Sequence, residues 1–147
     1  MQEINQLNPE HQSSKNVTQI FLISKIMNTQ TFFPLPNKQR KIERIDYADI
    51  IYLEGNSNYT LIHLQSGQIK VSPRTLLYHI NNSLNESFIR IHRAYCVNKS
   101  FIKEYDQKIS PQFLLMNGGL KLAVSRRKKK SLEKTKPSFW AKILLKP

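Results

Sequence analysis

The sequence predicts a mainly β fold with short helices, behind a flexible N-terminal extension. Three observations carry that reading. From Lys41 onward the apolar residues come in short runs, most of them bounded by Asn, Ser, Gly or Pro. Helical spacing interrupts them clearly at one place before the basic tail, where Leu76, Leu77, Ile80 and Leu84 recur. Hydrophobic residues at 39% and aromatics at 10% suffice for a packed core despite a formal charge of +13.

Taken in order, the first 19 residues are rich in Gln, Asn and Ser and read as a flexible extension. The run Ile20 to Met27, broken by Ser24 and Lys25, is too short for a bilayer, which needs about 20 apolar residues, and lacks the basic start of a signal peptide. Phe33-Pro34-Leu35-Pro36-Asn37 marks the edge of the folded part, since two prolines forbid a helix and tolerate only an edge strand or turn. Asp49 to Glu54 is apolar on both faces and suits a strand buried between two layers. Asn56-Ser57-Asn58 then turns the chain into a strand over Tyr59 to Gln65. Ser66-Gly67 turns it again into a third strand over Gln68 to Val71, which makes an antiparallel meander.

Ser72 is expected to cap a helix with Pro73 at its first position, and that helix covers the sheet. Phe88 to Val97 alternates as one strand, with Ile89 and Ile91 on one side and Arg90 and His92 on the other. Ile102 to Tyr105, Phe113 to Met116 and Leu120 to Val124 add further strands. The four glycines, Gly55, Gly67, Gly118 and Gly119, are expected in turns, and none belongs to a phosphate-binding loop. The domain expectation is an N-terminal extension over 1–37, a folded domain over 38–134 and a short apolar and basic segment over 135–147.

Charge is placed unevenly. Residues 1–37 hold Lys15 and Lys25 against Glu3 and Glu10, net zero, whereas residues 121–147 carry ten cations against Glu133. Such a field points at polyanions. Cys96, the single cysteine, excludes an internal disulfide and fits a reducing compartment, so the expected location is the cytoplasm. His11, His63, His79 and His92 show no metal-ligand spacing, and the acidic residues form no convincing pair. A ribonuclease-like use of His63 and His92 fits poorly, because strand histidines usually pack their rings. The chain is therefore read as non-enzymatic, with no cofactor and no metal.

Three segments could meet a polyanion. Ser125-Arg126-Arg127-Lys128-Lys129-Lys130 reads as a capped helix with five cations in its first turns, each costing roughly 0.3–1 kcal/mol against the macrodipole. A bound phosphate offsets that cost; the alternative is a solvated face. Asn58, in the Asn56-Ser57-Asn58 loop, can pair with an adenine edge or merely shape the turn. Arg90-Ile91-His92-Arg93-Ala94-Tyr95 sets two guanidiniums, an imidazole and a phenol together, with Arg90 and His92 equally suited to being the solvent side of a strand.

These strings, Asp49-Ile50-Ile51-Tyr52-Leu53-Glu54, then Asn58-Tyr59-Thr60, then Phe88 to Asn98, then Val124-Ser125-Arg126-Arg127, closely resemble the LytTR DNA-binding domain of bacterial transcriptional regulators. The resemblance covers about residues 38–134, and Phe88 to Asn98 is its most specific part. It implies small antiparallel sheets with short helices, loops inserted into successive major grooves of double-stranded DNA, paired direct repeats and bent DNA. By position it makes Asn58, Arg93 and Arg127 base-contacting, and Arg90, His92, Ser125, Arg126, Lys128, Lys129 and Lys130 suited to the DNA backbone. Ala94 departs from the Ser common in the family and removes a hydroxyl that could bond a phosphate.

Residues 1–37 are too short for the receiver domain many such regulators carry, so the expectation is a stand-alone regulator. It would be nucleoid-associated when bound, with a second copy on the adjacent repeat as a candidate partner and no membrane. The rival from another class is an RNA-binding or ribosome-associated protein, for which Tyr52, Tyr59 and Tyr95 could stack bases. Trp140, Ile143 and Leu144, at helical spacing with Phe139 beside them, are expected to pack on protein rather than follow DNA.

Overall fold

The computed structural model describes residues 31–37, 39, 41–106 and 112–134. The expectations for the first 19 residues, for Ile20 to Met27 and for residues 135–147 lie outside them. Among the described residues ten strands form three small antiparallel sheets, joined by two α-helices and two short 3-10 helices. Strands β1 (Phe32–Pro36) and β2 (Ile42–Asp46) pair as a hairpin. Strands β3 (Ile50–Asn56), β4 (Tyr59–Leu64), β5 (Ile69–Ser72), β6 (Phe88–Arg90) and β7 (Tyr95–Asn98) form the central sheet in the order β5-β4-β3-β7-β6. Strands β8 (Ile102–Asp106), β9 (Phe113–Met116) and β10 (Lys121–Ala123) form the third. The helices are α1 (Leu76–Asn82) and α2 (Arg126–Lys134).

Strand β1 lies inside the 1–37 segment read as an extension, so the folded body takes in Phe32–Pro36. Alternation explains it: Phe33 and Leu35 are buried, while the prolines between and after them sit in a strand with a partner on one side only, where a missing N–H is tolerated.

The central strand β3 has a bulge between Ile50 and Tyr52. One extra residue puts Ile51 and Tyr52 toward one core cluster while Ile50 and Leu53 serve the other. That is how a strand apolar on both sides is buried between two layers. The first cluster joins Phe33, Leu35 and Ile45 of the hairpin, Leu76 of α1, and Ile62, Phe88 and Cys96 of the sheet. The second joins Val97 and Ile91 to Ile102, Leu114, Met116 and Leu122 of the third sheet and Leu132 of α2. Burying Leu132 anchors the basic helix by about 2 kcal/mol.

Three local expectations need correction. Ser72 is not the cap of α1: it ends β5 and is fully buried, and Thr75 caps the helix, its Oγ1 accepting from Tyr78 N at 3.2 Å. The reason is His79, whose ring nitrogens meet Ser72 Oγ at 2.8 Å and Ser83 Oγ at 3.0 Å, so Ser72 serves a buried network instead. Phe88 to Val97 is not one strand but the hairpin β6–β7, folded back through residues 91–94. Gly55 lies within β3 rather than in a turn. A Cβ there would stand 3.2 Å from Leu76 Cβ, so any side chain would make α1 give way by a few tenths of an ångström.

Candidate nucleic-acid interface

The turn 91–94 is built by its own polar groups. Ile91 N and His92 N both donate to Tyr95 O, at 3.1 and 3.2 Å, and Ala94 N donates to His92 Nδ1 at 3.2 Å. Arg90 reaches in from β6, with Nε donating to His92 O at 3.3 Å and an Nη to Arg93 O at 3.1 Å. No glycine or proline marks this reversal, because side-chain bonds hold it. With Nδ1 accepting, the neutral His92 ring carries its hydrogen on Nε2, where it can donate to an anion. Arg93, at the tip, is exposed.

Two further backbone bonds tie this turn to its neighbours. Gly55 N donates to Ala94 O at 2.8 Å, which sets the turn against the tip end of the β3–β4 hairpin. Three residues beyond Gly55 is Asn58, exposed at the hairpin tip, preceded by Ser57 in the left-handed region at φ 51°. On the other side Ser125 N donates to Ile91 O at 2.9 Å, which fixes the start of α2.

Ser125 caps α2 as its position in the sequence suggests: its carbonyl accepts from Lys128 N and Lys129 N, and its Oγ from Lys128 N at 3.3 Å. Arg126, Arg127 and Lys130 are exposed, while Lys128 and Lys129 are half-buried, and the first turn has no acidic residue.

The charges of Arg90 and Lys128 both favour the Cys96 thiolate, though weakly. Burial dominates there and pushes the Cys96 thiol up to about 12. His63 belongs elsewhere: its Nε2 meets Glu54 Oε2 at 3.0 Å and its ring stacks on Tyr52 at 4.0 Å, as a ring-packing strand histidine does. No group of His, Cys, Asp and Glu suited to a metal occurs among the described residues.

Thus three segments distant in sequence, around residues 58, 93 and 126, are joined through backbone bonds, with a positive helix start at one side. The family model for the LytTr DNA-binding domain matches residues 40–136. The chain belongs to the LytTR DNA-binding domain family. It is 33% identical over 92 residues to the sensory transduction protein LytT of Bacillus subtilis (strain 168), a match over 61% of this chain and 37% of that protein. The chain thus spans little more than a third of that relative. In fold it is similar to the LytTr DNA-binding domain of a Bacillus cereus protein described as a methyl-accepting/DNA response regulator, with a TM-score of 0.55 at 20% identity over 80% of this chain and 99% of that one. The mainly β architecture of small antiparallel sheets is therefore that of a LytTR domain, and the matching family is one of DNA-binding domains. No helix of the described residues is long and apolar enough to cross a membrane.

Sequence reasoning missed the joints of this LytTR site, Gly55 and the carbonyls of Ile91 and Ala94. Gly55 in a strand was the one available signal, since glycine inside a strand often marks close approach of another backbone. The turn-holding bonds of Arg90, expected at the DNA backbone or on the solvent side of a strand, were not foreseen either. Arg90 is half-buried and spends donors on the turn it supports.

Proposed function

We propose that the chain is a sequence-specific, non-enzymatic transcriptional regulator that inserts loops into successive major grooves of double-stranded DNA at paired direct repeats. Asn58, Arg93 and Arg127 read base edges. Arg90, His92, Ser125, Arg126, Lys128, Lys129 and Lys130 face the DNA backbone, with a second copy on the adjacent repeat. The observation that carries this reading is the pair of backbone bonds from the 91–94 turn to Gly55 and to Ser125. A loop reader has no long recognition helix to hold its side chains in register, so its loops must brace one another, and these do. The exposure of Asn58, Arg93 and Arg127 supports their reading role. The backbone role of Arg90 fits its remaining guanidinium N–H groups, and its first task is holding the turn.

Recognition of single-stranded RNA would need aromatic faces open for stacking. Tyr59 is exposed, but Tyr52 and Tyr95 are half-buried and one face of Tyr52 is occupied by His63, so the three tyrosines do not offer a row of stacking faces. That favours duplex DNA. We place its action in the bacterial cytoplasm, nucleoid-associated when bound.

The test is selection of preferred sites from a random duplex library, followed by binding of Asn58→Ala, Arg93→Ala and Arg127→Ala to the selected and to scrambled duplexes. Each variant should lose about 1–3 kcal/mol of discrimination at its own base pair. Equal loss on every sequence would make these residues phosphate contacts and refute the base-reading assignment.

A further inference from the structure

A fourth segment adjoins those around residues 58, 93 and 126. It is the connection from β5 to α1, Pro73 to Thr75. Thr60, the second residue of β4, is fully buried, and its Oγ1 donates to Arg74 O at 2.7 Å. That bond pins the connection to a residue two steps along the chain from Asn58, a span of about 7 Å. Gly55, the partner of Thr60 across the β3–β4 hairpin, completes the junction. A Cβ on it would stand 3.2 Å from Leu76 Cβ and 3.8 Å from Ala94 Cα, so the start of α1 and the 91–94 turn meet over one glycine.

Arg74 brings an unneutralised charge to this junction. From Gly55 to Asn85 the sequence holds no Asp or Glu, and its only lysine and arginine are Lys70 and Arg74. Lys70 is paired with Glu43 at 2.8 Å, whereas no carboxylate among the described residues pairs with Arg74. The Arg74 side chain is exposed yet held, its guanidinium carbon standing 5.0 Å from the centroid of the Tyr78 ring. A ring under the flat face leaves the N–H edge for another acceptor, and a phosphate accepts from that fork with two oxygens. The β3–β4 tip from Gly55 to Tyr59 has no cation of its own. The basic run lies on the far side of the 91–94 turn, where Ser125 is bonded to Ile91.

We propose that Arg74 clamps a phosphodiester of double-stranded DNA beside the β3–β4 tip and so holds Asn58 in its groove. Phosphate contacts fix orientation while base contacts carry sequence, and a tip that reads with one amide needs an anchor on its own side. The assignment rests on the proposed reading of duplex DNA by these loops and adds to it a residue outside them. The test measures binding of the full-length chain to the selected and to a scrambled duplex over a range of salt. Arg74→Gln should lower affinity about tenfold for both and reduce the salt slope by about 0.9, the share of one phosphate. Arg74→Lys should keep the slope and recover only part of the affinity, since a point charge lacks the fork. Arg44→Gln is the control: Arg44 is likewise exposed, 4.6 Å from the Phe32 ring centroid, but sits on the β1–β2 hairpin, and its loss should change neither quantity.

Neutral methylphosphonates, placed one at a time in the selected duplex, locate the contact. At one phosphate the substitution should cost the native chain about as much as Arg74→Gln does, and should cost the Arg74→Gln variant nothing further. Unchanged affinity and slope in Arg74→Gln, an equal effect of Arg44→Gln, or the lack of any phosphate at which the two losses overlap would overturn the proposal. None of those results touches the base-reading test, which rests on discrimination between sequences. Conversely, uniform loss by Asn58→Ala on every sequence, with the overlapping phosphate found, would sink base reading and leave the clamp standing. Thermal unfolding of the Arg74 variants should match that of the native chain, because Arg74 and Tyr78 are both exposed. Should Arg74→Gln unfold, the same scan with Arg74→Lys decides: a smaller methylphosphonate penalty at that one phosphate supports the clamp, and an unaltered pattern refutes it.

Discussion

Protonating His79 should cost this domain much of its stability between pH 6.5 and pH 4. The ring is fully buried, meets Ser72 and Ser83 through its two nitrogens, and packs 4.8 Å from the Phe33 ring. Burial, helped by the charge of Arg74, lowers its pKa from the ordinary 6.5 to about 4. The unfolded chain therefore takes up the proton first as pH falls. Above 6.5 the full stability is present; it declines through the window, and below 4 the whole contribution is gone. A gap of this size corresponds to about 3 kcal/mol, of which about 2 kcal/mol is lost between pH 7 and pH 5. Against a typical domain stability of about 5–15 kcal/mol that is easily measured.

The assay is urea unfolding followed by circular dichroism at pH 7, 6 and 5, for the native chain and for His79→Gln. Glutamine keeps a donor and an acceptor, so the variant should begin about 1–2 kcal/mol less stable and the two pH profiles should converge toward pH 5. His63, His92 and the carboxylates are common to both chains and cancel in the difference. Parallel profiles, or an NMR titration of His79 near 6.5, would refute the reasoning. The effect bears on the proposed function because α1, which carries His79, sets Leu76 against Gly55, whose N–H holds the 91–94 turn.

Replacing Lys128, Lys129 and Lys130 together by Gln should weaken binding to specific and random DNA alike and flatten the salt dependence by about 0.9 in slope for each phosphate no longer neutralised; an unchanged slope would make the run a solvated tract. Gly55→Val should destabilise the domain by about 1–3 kcal/mol in denaturant titration and reduce DNA affinity, with Gly55→Ala milder, since the added carbons collide with Leu76 where the β3–β4 hairpin meets the turn. Asn98→Ala should cost about 2–4 kcal/mol by thermal unfolding. The buried amide donates to Tyr47 O at 3.0 Å and Ile50 O at 2.9 Å while its oxygen accepts from Ser100 N, so truncation removes three interior hydrogen bonds at once.

The sequence by itself determined what is local. Hairpins such as β3–β4 and β4–β5 are legible because turn residues and period-two apolar runs act within a few residues of each other, as at Ser57-Asn58 and at Gly67 with φ 85°. The basic helix and its Ser125 cap are legible for the same reason, and the order of the four motif strings carried the family. Only the tertiary structure decided the rest. Arg90-Ile91-His92-Arg93 alternates like a strand, and it turns because the Arg90 guanidinium and the His92 ring bind carbonyls and an N–H of the turn itself. Ser72 looks like a cap until His79, seven residues on, claims its hydroxyl in the interior. The union of residues 55, 94, 91 and 125 rests on backbone N–H and C=O groups that every non-proline residue possesses, so no side-chain pattern announces it. Burial selects which of those common groups must pair, and burial is a property of the assembled sheets rather than of any one segment.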